Sequence, residues 1–81
     1  MGRIYQTSKG YAVRLHRGGY GARDQYRPSS NDFSTEPLID AAMKEVCAWG
    51  WADKAIAQQV LDKLAIEQGW SEISESEYRQ T

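Results

Sequence analysis

The chain is predicted to be an α+β domain in which an N-terminal three-stranded antiparallel sheet, residues 3–27, packs on a two-helix hairpin, residues 35–69, followed by a short C-terminal segment, residues 70–81. Three observations predict it. Residues 3–27 alternate apolar and polar side chains between Gly-containing breaks, residues 35–69 switch to a helical spacing, and 81 residues leave room for a single core.

The first strand is expected over residues 3–7, the second over 11–16 and the third over 20–26, separated by Ser8-Lys9-Gly10 and Arg17-Gly18-Gly19. In the middle strand Tyr11, Val13 and Leu15 fall on one face, and Ala12, Arg14 and His16 on the other. This is the period of two of a half-buried strand, so one face is core and the other is basic. In the third strand Tyr20, Ala22, Asp24 and Tyr26 alternate with Gly21, Arg23, Gln25 and Arg27, which adds a second set of arginines to the solvent side. Arg27-Pro28 is expected to end the sheet, and Ser29-Ser30-Asn31-Asp32 to turn the chain.

Ser34 or Thr35 then caps a helix with Pro37 in its first turn, where a missing N–H costs nothing. Its apolar face is Leu38, Ala42 and Val46 with Ile39, Met43 and Cys47, and Gly50 stops it. Asp53 caps a second helix whose stripe of Ile56, Val60 and Leu64 with Ala57 and Leu61 ends at Gly69. Both glycines precede a tryptophan, Trp51 and Trp70, and these rings are expected to fold back as lids on the core. Residues 71–73 form a short extended segment, and Ser74 with Glu77 is a capping box for a last helical turn holding Tyr78.

Composition limits the function classes. Cys47 is the single cysteine, so no intramolecular disulfide staples the fold, which suits a reducing cytoplasm. Residues 1–9 lack the apolar stretch of a signal peptide, and no apolar run approaches the roughly 18 residues that span a bilayer. One histidine and one cysteine do not make a zinc site, and no Gly-rich loop links a strand to a helix to cradle phosphates. No metal, cofactor or catalytic group is expected, and the chain is read as acting by binding.

The charge is unevenly spread. Residues 1–30 hold six basic side chains against one acidic, net +5, whereas residues 31–81 hold four against ten, net −6. Either the two parts neutralise each other within one fold, or the sheet carries a basic working face. On the second reading the candidate binding residues are Arg14, His16, Arg17, Arg23 and Arg27, with Tyr5 and Tyr20 as aromatic platforms. Arg and Tyr are what protein interfaces use as anchors, so the expected partner is a protein or nucleoprotein complex.

The alternative is DNA or RNA, with the arginines on phosphates and Tyr5 or Tyr20 stacking on bases. The layout of residues 3–49, three strands then a helix, is similar to arm-type integrase and AP2-like DNA-binding domains, but a sequence pI near 5.7 weakens long-range attraction to phosphate. A third possibility is a metal-free ribonuclease in which His16 or a tyrosine moves protons beside Arg14, Arg17 and Arg23. The passage from Gly21-Ala22-Arg23-Asp24 through Phe33-Ser34-Thr35-Glu36 resembles small phage-encoded inhibitors, anti-CRISPR proteins among them. That resemblance implies a non-enzymatic inhibitor or adaptor and assigns no site residue.

Overall fold

The computed structural model describes residues 2–20 and 23–80, without the side chains of Tyr20, Arg23 and Gln80. Its elements are β1 (Ile4–Gln6), β2 (Ala12–Tyr20), β3 (Arg23–Ser30), α1 (Glu36–Val46), α2 (Lys54–Gln68), β4 (Ser71–Ile73) and α3 (Glu75–Gln80). The class is α+β, with one antiparallel sheet of strand order β3-β2-β1-β4.

The sheet differs from expectation in three places. Arg17-Gly18-Gly19 is not a turn, because β2 runs through it to Tyr20 and pairs with β3 in unbroken register, Gly18 opposite Gln25 and Tyr20 opposite Arg23. Gly21 and Ala22, expected within the third strand, lie outside the described residues. Pro28 does not end the sheet either: β3 is an edge strand, and Pro28 sits opposite Leu15 where its missing N–H points away from β2. Tyr26, two residues earlier and so of the same orientation, shows this by donating its outward N–H to the Ala52 carbonyl at 2.7 Å. Lastly, residues 71–73 join the sheet as a fourth strand, with Ile4 opposite Ile73.

The β1–β2 turn closes as expected. Gly10 takes φ +91°, a conformation open to glycine, and donates its N–H to Thr7 O at 2.9 Å.

Both main helices lie against the sheet face that carries Val13. Val13, Ile39, Met43, Ala57 and Leu61 are wholly buried in one cluster with Val60, Leu64 and Ala52, and Trp70 packs against it. The apolar face of α1 is narrower than its pattern suggests: Ile39 and Met43 are buried, whereas Leu38 is 40% and Val46 51% exposed. α1 also stops before Gly50, with Cys47 as an extended, half-buried C-cap. α2 agrees more closely, with Asp53 Oδ1 accepting the Ile56 N–H at 3.0 Å and Gly69 as a left-handed C-cap at φ +73°. Its outer residue Ile56 remains 39% exposed.

Entry into α1 depends on a residue assigned only to a turn. Thr35 is the N-cap by position yet its side chain makes no cap bond. Asp32 holds the segment instead, its carboxylate accepting from Ser34 Oγ at 2.7 Å, Ser34 N at 3.0 Å and Thr35 Oγ1 at 3.2 Å. The Ser34 hydroxyl bond, with smaller help from the Ser34 N–H, nearby Lys9 and the Thr35 hydroxyl, draws this carboxyl below the ordinary carboxylate range. A depressed folded-state pKa adds stability above the unfolded value of about 3.9 and loses it as pH falls further. The stability gap between the parent and Asp32→Asn, measured by urea unfolding, is therefore expected at neutral pH and to shrink below about pH 4. A gap independent of pH would contradict this role.

Candidate basic and aromatic groove

The face of the sheet turned away from α1 and α2 is built by the even-numbered residues of β2 and their partners. Arg14 and His16 stand two apart on β2, and Arg27 is the cross-strand partner of His16. These three therefore share a side, as expected. Ile4 and Ile73 pair on that side too, because Tyr5 beside them faces Val13 across the other.

Each of the three has an aromatic neighbour. The Arg14 guanidinium lies over Tyr78 of α3, 4.7 Å from the ring centre, and its Nη1 is 3.6 Å from Glu75 Oε1. His16 meets Trp51 with ring centres 6.1 Å apart, tilted 55°. Arg27 approaches the same indole at 5.9 Å. Trp51 is thus not a lid on the core: Ala52 bridges to Tyr26 on the buried side, which turns Trp51 to the opposite face. Gly18 makes room for it, since a Cβ there would stand 2.7 Å from the indole. This close approach is why a glycine occupies mid-strand here.

Other candidates are placed elsewhere. Tyr5 lies on the helix side, its hydroxyl donating to Asp62 Oδ1 of α2 at 2.6 Å, so its ring is no platform on the outer face. Desolvation by burial, then the Asp62 bond and charge, push this phenol up to about 12. Arg17 is odd-numbered and opposite Tyr26, on the other side from Arg14, with its Nε 3.4 Å from Asp24. The side chains of Tyr20 and Arg23 lie outside the described residues.

The arginines are not an unpaired cationic field. Arg27 holds Glu36 at 3.3 Å and Asp40 at 3.5 Å with only 20% of its side chain exposed, which ties β3 to α1. Arg3 is 2.8 Å from Asp62. The basic first part of the chain and its acidic remainder therefore neutralise each other in several places. Arg14 and Glu75 differ from Arg27 in being 40% and 47% exposed at a long separation, a pairing worth about 0–1 kcal/mol and readily exchanged.

What remains on this face is a groove of about 770 Å³ between β2, the end of β3 and α3. Arg14, His16 and Arg79 line it with Tyr11, Tyr78, Ser29 and Asn31, and among the described residues no carboxylate lines it. Tyr78, Arg79 and Tyr11 were absent from the candidates drawn from the sequence. The Ser74 and Glu77 capping box was a usable signal for the first two: Ser74 N donates to Glu77 Oε1 and Glu77 N to Ser74 Oγ, both at 3.1 Å, and this turn puts Tyr78 above the sheet.

Among the described residues no three His, Cys, Asp or Glu side chains gather as metal ligands, and no helix is long and apolar enough to cross a membrane. Compared with protein-family models, curated proteins and solved structures, the chain matches none.

Proposed function

We propose that this chain is a non-catalytic binding protein, an inhibitor or adaptor of the small phage-encoded kind, that docks an acidic surface of a protein or nucleoprotein complex through the outer face of its sheet. One observation carries the reading: the groove gathers two arginines, a histidine and two tyrosines with no carboxylate among its described lining residues, in a molecule of net charge −1. Exposed Arg and Tyr side chains beside a concave surface supply charge-assisted hydrogen bonds and large contact area at modest entropic cost.

Nucleic acid is the second reading, favoured by Tyr11 and Tyr78 standing in the same groove as Arg14 and Arg79. The acidic balance of the remaining surface opposes it, because phosphate binding gains most from a broad positive field.

The test is capture of partners by the immobilised full chain, compared with Arg14→Ala/His16→Ala, followed by quantitative mass spectrometry and a gel shift with single-stranded DNA and RNA. A partner depleted about tenfold or more by the double variant is the expected result. An unchanged partner set removes the groove from consideration. Nucleic-acid binding that is tight and weakens steeply with salt would reverse the order of the two readings.

A further inference from the structure

We infer that the helix α3 is a built-in occupant of the docking face, and that the partner presents the same chemistry: a helical turn with a carboxylate three residues before an aromatic ring. This rests on the proposed function at the strand residues Arg14 and His16, takes the α3 residues of the groove, Tyr78 and Arg79, as the part a partner replaces, and names that partner's chemistry.

Arg14 already receives two groups from α3, the Glu75 carboxylate at 3.6 Å and the Tyr78 ring at 4.7 Å. Glu75 and Tyr78 are three apart, so one helical face delivers both to one guanidinium. Beside Arg14 on the same side of the sheet stand Ile4 and Ile73, exposed by only 5% and 8% although α1 and α2 lie on the opposite side. The element that follows Ile73 directly and meets Arg14 is α3. Arg14 on this face is therefore a cation beside an apolar pair.

α3 is poorly anchored for an element in that position. It has six residues, and isolated helices below about 12 residues are marginal in water. Every one of its described side chains except Tyr78 is exposed, and its capping box joins only its own first turn to Ser74. Such an element opens at low free energy compared with the core. A partner turn offering the same carboxylate and ring competes with it, and the affinity observed in the intact chain is lowered by the fraction of molecules in which α3 is docked.

The probe is a fluorescein-labelled peptide copying residues 74–80, SESEYRQ, followed by anisotropy on the full-length protein. Against the parent, Glu75→Gln/Tyr78→Ala in the protein is expected to bind the peptide about tenfold more tightly, and Glu75→Gln alone to show a smaller gain. The single variant keeps side-chain volume and so guards against loss of fold, which circular dichroism melting reports. Adding Arg14→Ala is expected to abolish the gain, and a peptide lacking the Glu and Tyr counterparts of positions 75 and 78 is expected not to bind.

Equal peptide affinity for the parent and both released variants would overturn the inference. So would an oligothymidylate probe that binds the released protein better than the peptide, or a concentration-dependent dimer of the parent that Tyr78→Ala dissolves, since α3 would then exchange between copies. A partner captured through Arg14 that the peptide fails to displace would overturn the inference and leave the proposed function standing.

Discussion

Leu61→Ala is expected to remove about 2–5 kcal/mol of folding stability. Leu61 is wholly buried in the cluster formed by Val13, Ile39, Met43, Ala57 and Leu64, where β2, α1 and α2 meet. Removing most of its side chain loses transfer free energy and leaves a void that three elements held by the sheet cannot close. Small domains hold only about 5–15 kcal/mol in total, so the variant should melt well below the parent. Ile66 on the same helix is 83% exposed, and its alanine variant should fall within about 0.5 kcal/mol of the parent. Urea unfolding of both variants separates burial from helix propensity, and a loss below about 1 kcal/mol for Leu61→Ala would contradict the placement of the core.

Asp62→Ala comes next, with an expected loss of about 1–3 kcal/mol. Its carboxylate is a hub between β1 and α2, accepting from Arg3 Nη1 at 2.8 Å, Tyr5 Oη at 2.6 Å and Gln58 Nε2 at 2.9 Å. Gln58 in turn accepts the Arg3 backbone N–H at 2.9 Å, so one substitution disturbs the join of the first strand to the helix layer. The Tyr5 phenol, part-buried, would lose its acceptor, which costs more than the exposed Arg3 pairing contributes. A pH signature accompanies this. Tyr5 is raised to about 12, above its ordinary value of 10.0, so its contribution is complete below pH 10 and is lost as pH rises toward 12. Tyr5→Phe removes that alkaline loss, and an unchanged alkaline profile in Tyr5→Phe would show that another group titrates.

The site was partly legible for the same reason the strands were. Alternation places Arg14 and His16 together on the outer face without any coordinates, because their spacing of two matches the pleat. It places Arg17 on the other face just as surely once β2 is known to run through Arg17-Gly18-Gly19, but that glycine pair has the look of a turn. Gly18 is there to admit the Trp51 ring, a contact between residues 33 positions apart that no local pattern contains. Tyr5 followed the alternation too, yet the side it faces depends on the Asp62 acceptor of a distant helix. The groove itself needs α3 over β2, and the capping box announces the helix without saying where it docks.

Local chemistry in the chain determined the α+β class, the helix boundaries at Asp53 and Gly69, the Gly10 turn and the alternation of Val13 with Arg14, since each depends on a few neighbouring residues and their backbone preferences. Tertiary structure alone decided that residues 71–73 would complete the sheet beside β1, that Trp51 would face outward, and which carboxylate each arginine would meet. Those outcomes are set by contacts between segments far apart in the chain, and pairing a charge with one of eleven acidic side chains is a choice among near-equal energies that only the assembled fold makes.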